Sequence, residues 1–259
     1  YWDQNTGMPK KGASWRSEQL TYIAKIIHKR NSSDEFSDLI KGAKDEYFDC
    51  LETSSQEIIK FKKRNIELLT KEFNRQNNLD PKLVESLAKA KSKGYESWQE
   101  AKKKSDFKIF LPFFEELIKL RIEEANQISD KYTPWETLAQ PFEPDLTLEW
   151  LNNIFMPLKQ IIPSLLSDLK KSEKYHWDLS PKSQQNLCSK LLDEFGRDED
   201  LVIVAKSPHP FSITLGPGDY RITTRIVEGE PFSSFLATAH EWGHSIYEQG
   251  LPSQSHQWF

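Results

Sequence analysis

The chain carries His240-Glu241-Trp242-Gly243-His244. Residues four apart on an α-helix lie one above the other on the same face, so two imidazoles at this spacing can grip one ion from one side. A carboxylate beside the first of them can reach a water on that ion. This pattern describes metal-activated hydrolysis, the chemistry of a zinc peptidase, in which the ion polarises water and the carboxylate handles its proton. His240 and His244 are therefore the candidate ligands, and Glu241 is the candidate general base. The bland alternative is a helix with two unremarked histidines and a solvated glutamate. The flanking residues argue for a site. Glu230-Pro231-Phe232-Ser233 reads as a helix start with Pro231 in the first turn, and Gly250 followed by Pro252 reads as its stop. Between them Phe232, Phe235, Leu236, Ala239, Trp242, Gly243 and Ile246 supply an apolar stripe at helical spacing, which places the motif in mid-helix.

A catalytic zinc takes three protein ligands, so one is missing from this motif. A metzincin needs Gly three residues and His six residues after the second ligand, but Tyr247 and Gly250 stand there. Glu248 lies one turn beyond His244, out of bonding range of an ion clasped by His240. His256 reaches back only if residues 252–257 fold over the helix. The expectation is a third ligand downstream of the residues present. The first residue is Tyr1 rather than Met, so the chain also reads as cut at its front.

The elements that must hold this helix are mostly helices too. Apolar spacings of three and four predict helices over 14–30, 33–51, 54–76, 80–91, 95–104 and 106–129. Ser33, Ser54 and Asp80 suit N-caps, and Pro81 suits a first turn. Their remaining faces are rich in Lys and Glu, as in a helical bundle with solvated surfaces, and no heptad repeat is sustained enough for a coiled coil. Residues 133–144 hold three prolines and read as a loop and subdomain boundary, separating 1–134, a helical wall or lid, from 135–259, the start of a metal-binding core. Further helices are predicted over 147–171, kinked or divided by Pro157 and Pro163, and over 181–195, capped by Gly196. The period then changes. Residues 201–205 read as a short buried strand and 220–227 as an alternating one, with a turn at Gly216-Pro217-Gly218 between them. In the second strand Tyr220, Ile222, Thr224 and Ile226 face one side, and Arg221, Thr223, Arg225 and Val227 the other. The predicted fold class is mainly α, with a small β-sheet immediately before the metal helix.

Composition sets limits on function. The chain has 259 residues, 37% hydrophobic and 29% charged, enough for one large domain or two small ones. A net charge of −4 and a pI near 5.9 leave no electrostatic footprint for nucleic acid. The short run Lys102-Lys103-Lys104 reads as a solvated helix end. No apolar run reaches membrane length and no signal peptide is visible. Cys50 and Cys188 read as free thiols of a reducing compartment.

Several motifs then fall in one order: His209-Pro210-Phe211, Asp219-Tyr220-Arg221-Ile222-Thr223, the His240–His244 helix, and Tyr247-Glu248-Gln249-Gly250-Leu251-Pro252. Near the start stand Trp2-Asp3, Thr6, Met8-Pro9, Gly12, Arg16 and Gln19. In this order and spacing the chain resembles the carboxypeptidase Taq family of zinc-dependent carboxypeptidases, over its whole length. The resemblance implies a cytoplasmic metallocarboxypeptidase that removes single C-terminal residues from peptides with broad specificity. It also implies a homodimer, a helical fold with a long groove, zinc as the ion with cobalt or manganese as substitutes, and a third ligand from the Glu of a later His-Glu-(Ser/Gly)-Gln motif. That motif is absent from this sequence.

A carboxypeptidase must recognise a free carboxylate, a task that suits a guanidinium or an imidazole. His209, Arg221 and Arg225 are the candidates. For each a structural reading stands beside the functional one. Arg221 can brace its strand by pairing with Asp219; Asp219 can instead orient a ligand histidine from behind; His209 can be a packed loop residue; Thr223 can simply fill a strand position. Trp2, Asp3 and Arg16 read as residues that fix a helix near the site. Two rival readings stay open: an oligopeptidase that cuts internally, and a non-catalytic helical peptide-binding protein with a residual motif.

Overall fold

The computed structural model describes residues 1–49, 51, 55–169 and 178–251. Among them are ten α-helices and three strands, the mainly α architecture expected from the sequence. In chain order they are α1 (Trp2–Thr6), α2 (Ala13–Asn31), α3 (Asp34–Asp49), α4 (Gln56–Asn77), α5 (Pro81–Lys104), α6 (Leu111–Ile128), α7 (Pro134–Ala139), α8 (Leu148–Asp168), α9 (Pro181–Glu194), β1 (Val202–Lys206), β2 (Ser212–Gly216), β3 (Asp219–Thr224) and α10 (Pro231–Gln249). No helix of the described residues is long and apolar enough to cross a membrane. Cys50, Ser54 and His256 lie outside the described residues; the observed cap of α4 is Ser55, whose hydroxyl accepts from the Ile58 N–H.

The chain packs as two compact units. One holds the helices from α2 to α8. Its core is Leu79, Leu83 and Leu87, packed against Leu117, Leu120 and Ile128. Asp80 caps α5 by accepting from the Lys82 N–H, with Pro81 in the first turn, as predicted. The two helices expected over 80–91 and 95–104 are a single one. Gly94 disfavours helix by roughly 1 kcal/mol relative to Ala. Here it is buried in line with Ser97 and Ala101, and tertiary packing overrides that preference.

Three other departures have local causes. The stretch expected as a loop contains α7, because Pro134 occupies a first helical turn, where a missing N–H costs nothing, rather than breaking a helix. Thr133 and Glu136 form a capping box, and the Glu136 carboxylate also accepts from the Leu148 N–H at 2.8 Å. These hydrogen bonds, Leu148's foremost, hold the Glu136 carboxyl below the usual carboxylate range. They tie α7 to the start of α8, and α7 also packs on α6. α6, α7 and α8 accordingly belong to one compact unit. In α8, Pro157 and Pro163 are interior and neither divides the helix. The start of the predicted 106–129 helix is a 3₁₀ turn, Phe107–Ile109, ahead of α6 and its Pro112.

The other unit joins residues 1–12 to the described residues from 178 onward. Its three-stranded sheet runs β1-β3-β2, with β3 parallel to β1 and antiparallel to β2. β2 was not visible in the sequence pattern. It spans only five residues and leads into the Gly216-Pro217-Gly218 turn, where Gly216 and Gly218 take positive φ. As the central strand β3 is covered on both sides, so Ile222, Thr223 and Thr224 are all buried in succession. It ends at Thr224, which leaves Arg225–Val227 beyond the sheet rather than in the predicted alternation. Leu192, Val202, Ile222 and Trp242 form the core, bringing α9, β1, β3 and α10 together. α9 ends as expected on Gly196, with φ +75°, and its N–H bonds to the Asp193 carbonyl.

Candidate metal centre

α10 begins at Pro231 and stops at Gly250, as the sequence signals require. Its buried face, however, is not the predicted apolar stripe. The buried positions are Pro231, Ser234, Thr238, Glu241, Trp242 and Ser245, while Phe232, Leu236 and Ile246 are exposed. The reason lies in the partner surface. β3 and α9 present hydroxyl and amide groups to this helix, so small polar residues fit there where bulky apolar ones do not. The Thr224 and Thr238 hydroxyls meet at 2.7 Å, and Thr238 Oγ1 donates to the Ser234 carbonyl at 2.8 Å. Ser234 Oγ donates to Gln184 Oε1 at 2.9 Å and accepts from the Val227 N–H at 3.2 Å. Gln184 Nε2 donates to the carbonyls of Leu179 and Val227. This buried chain fixes α10 in rotation and height against the sheet.

With that face held inward, His240 and His244 project from the exposed side, in line with Leu236. Their Nε2 atoms stand 3.1 Å apart, with ring planes at 89°. One ion at the usual ~2.0–2.1 Å zinc–nitrogen distance from each fits that span. Glu241, at the edge of the buried face, is 8% exposed and makes no hydrogen bond or ion pair among the described residues. The donor set thus fits a divalent ion on two of its three expected ligands. Among the described residues no third His, Cys, Asp or Glu joins the pair.

The other candidates separate into bracing and available groups. Arg221 grips Asp219 with both arms of its guanidinium, Nε to Oδ1 at 2.6 Å and Nη2 to Oδ2 at 2.8 Å. The same guanidinium lies 5.5 Å from the Trp2 ring centroid. Tyr1 and Trp2 also set their ring edges against Phe211. The bracing reading of Asp219 and Arg221 is therefore the one the geometry supports. It likewise gives Trp2 a definite task, stacking on Arg221, that the sequence did not reveal.

Thr223 is fully buried and does more than fill a strand position. Its Oγ1 accepts from the Phe211 N–H at 2.9 Å and sits 2.6 Å from Ser207 Oγ, which donates to the His209 carbonyl at 2.5 Å. Thr223 thereby pins the His209-Pro210-Phe211 loop to β3, with the His209 residue itself exposed. Arg225 has no ion pair among the described residues. It borders a hollow of about 500 Å³ with Lys206, Ser207 and Glu228.

The hydrogen bond from Arg221 lowers the Asp219 carboxyl below its ordinary value. A depressed carboxylate contributes stability that is complete above the unfolded-state value and is lost as pH falls through the folded one. The Asp219 carboxyl is thus expected to titrate below a free aspartate in carbonyl-carbon NMR, and to move back up in Arg221→Gln. An unchanged titration in that variant refutes the brace.

Comparison with known proteins agrees with this geometry. Residues 1–258 match the model of the Carboxypeptidase Taq (M32) metallopeptidases. The chain is 31% identical over 257 residues to Carboxypeptidase 1 of Bacillus subtilis, covering 97% of this chain and 50% of that protein. It is 28% identical to Thermostable carboxypeptidase 1 of Thermus thermophilus, covering 98% and 51%. In solved structures it superposes on BsuCP with a TM-score of 0.84 at 30% identity, covering 96% of this chain and 50% of that one. On Trypanosoma cruzi metallocarboxypeptidase 1 the TM-score is 0.74 at 26% identity, covering 99% and 51%. The chain spans about half the length of the curated relatives it matches. With the family model covering nearly every residue and the His240–His244 helix in place, this chain belongs to the Carboxypeptidase Taq (M32) family of metallopeptidases.

Proposed function

We propose that the whole protein is a metallocarboxypeptidase that releases C-terminal residues from peptides with broad specificity, and that α10 supplies two metal ligands and the base. The observation that carries this reading is the pair of converging imidazoles, Nε2 atoms 3.1 Å apart, on the helix that also carries Glu241. His240 and His244 would hold the ion through Nε2. When bound, zinc, or cobalt or manganese in its place, supplies Lewis acidity toward water and the scissile carbonyl. The third ligand in this reading is the glutamate of the later family motif, which this sequence does not contain.

The chain's own groups account for the proton traffic. Glu241 accepts the proton of the attacking water and later returns it to the leaving amine. For the peptide carboxylate, Arg225 is the better candidate of the two arginines, because Asp219 already occupies both arms of Arg221. His209 stands on the loop that Thr223 pins and is the second candidate. In the same reading the protein works in the cytoplasm as a homodimer; the buried free thiol of Cys188 supports the reducing compartment.

Paired peptides test the specificity. A peptide with a free C-terminus should be shortened one residue at a time, and its C-terminally amidated twin should survive. Internal cleavage of the amidated peptide at a comparable rate would replace this reading with the oligopeptidase.

A further inference from the structure

We propose that the hollow beside Arg225 is a binding site for a free α-amino acid, held by its carboxylate and its ammonium group at once. The hollow measures about 500 Å³, within the size range of small-molecule sites. Lys206 and Arg225 contribute two cations to its lining and Glu228 one carboxylate, while Pro181, Pro208 and Ile226 contribute apolar surface. Neither cation pairs with Glu228, or with any other carboxylate among the described residues. Opposite charges that line one hollow without meeting each other suit a ligand that carries both signs.

The walls are fixed by bonds of the network that holds α10. β3 ends at Thr224, whose carbonyl accepts from the Ser207 N–H at 3.2 Å and whose hydroxyl meets that of Thr238. Three residues on, the Val227 N–H donates to Ser234 Oγ, and the Val227 carbonyl accepts from Gln184 Nε2 at 3.0 Å. Arg225 and Ile226 thus stand between two anchored points, and Glu228 follows the second. At the end of β1, Ser207 is buried and bonded to Thr223, which fixes the chain between Lys206 and Pro208. Pro181 opens α9. A site built on anchored backbone loses little entropy when it binds.

The charge pattern selects among ligands. The planar guanidinium of Arg225 can take a carboxylate on both oxygens, with Lys206 as a second, point charge. Glu228 lines the same hollow, so the rest of the ligand meets a carboxylate. An inorganic anion or an N-acylated amino acid brings only negative charge there and is repelled; a free amino acid brings an ammonium group and is attracted. Pro181, Pro208 and Ile226 are left to cover its side chain. The source of such a molecule, though not the binding itself, rests on the proposed function. Hydrolysis adds water across the last peptide bond, leaves the terminal carboxylate unchanged and turns the amide nitrogen into an ammonium group. Glu228 is in place to hold that new cation, so the hollow favours the released residue over the peptide it came from.

The test titrates the purified 259-residue chain with leucine, N-acetylleucine, leucinamide and inorganic phosphate, followed by amide NMR. Leucine should shift the amides of Ser207 and of residues 225–228 saturably, and each of the other three should bind at least about tenfold more weakly. Glu228→Gln should remove the advantage of leucine over N-acetylleucine, and Arg225→Gln should weaken leucine by about tenfold or more. Glu228 is exposed and Arg225 half-buried, so each variant should keep its thermal midpoint within about 2 °C, which separates lost binding from lost fold. The probe series on the unsubstituted chain decides the proposal even where a variant unfolds. Absence of saturable shifts, equal binding of N-acetylleucine or phosphate, or a leucine preference that survives Glu228→Gln overturns it. None of these readings uses metal or turnover. Failure of the whole protein to shorten peptides would sink the proposed function and leave the binding result standing, whereas failure of leucine to bind would sink the hollow's assignment and leave peptide hydrolysis untouched.

Discussion

Glu241→Gln in the whole protein is expected to lower peptide hydrolysis by about a thousandfold while leaving metal content unchanged. General acid–base groups contribute roughly 10²–10⁴-fold, and a thousandfold loss corresponds to about 4 kcal/mol of transition-state stabilisation. The substitution keeps the size and shape of the side chain, so packing at the edge of the buried face is preserved. It removes only the ability to take up and return a proton. No hydrogen bond is sacrificed, because the carboxylate makes none among the described residues. His240 and His244 project from the exposed side of α10, and their 3.1 Å approach does not depend on the residue between them. Metal analysis and steady-state kinetics on the same preparation therefore separate the two roles. Turnover near the parent rate would eliminate Glu241 as the base. Loss of metal alongside activity would instead make it a structural support of the ligands.

The placement of this site was legible in the sequence because three signals coincided on one segment: the His-Glu-x-x-His spacing, a proline at the helix start and a glycine at its stop. Local chemistry suffices for such features. The face that α10 buries was not legible, because a polar stripe of Ser234, Thr238 and Ser245 carries no weight in an apolar-periodicity reading. Its logic resides in the partner hydroxyls and amide of Thr224 and Gln184, which are distant in sequence. Thr223 was visible as a strand residue, yet its grip on Ser207 and Phe211 needed the register of β3 against the preceding loop. Pro134 misled for the opposite reason. Proline breaks helices only from within, and at a first turn it starts them. The third ligand is expected from a later family motif that this sequence does not contain, so its place in the site rests on the family resemblance.

The largest stability effect is expected from Gln184→Leu. Gln184 is fully buried and ties three segments together: Oε1 accepts from Ser234 on α10, while Nε2 donates to the Leu179 and Val227 carbonyls. Leucine fills a similar volume, so no large cavity forms, and the cost comes from polarity. The Ser234 hydroxyl loses its acceptor, and two carbonyls lose their donor. Each buried group left unsatisfied costs about 1–3 kcal/mol, which gives roughly 3 kcal/mol or more in total. For a unit of this size that is a fall of about 10–20 °C in its thermal midpoint. The consequence reaches function through α10. Without Gln184, the Val227 N–H to Ser234 Oγ bond and the Thr224–Thr238 contact are the polar pins left between α10 and its neighbours, so the His240/His244 pair is held less firmly. Differential scanning calorimetry checks the first step, and a shift under about 2 °C would show that Gln184 is not the brace described here. Metal retention measured below the new midpoint checks the second. Glu241→Gln and Gln184→Leu should then fail in opposite ways, one stable and inactive, the other active only at temperatures where the network survives. That contrast separates the group that does the chemistry from the groups that hold it in place.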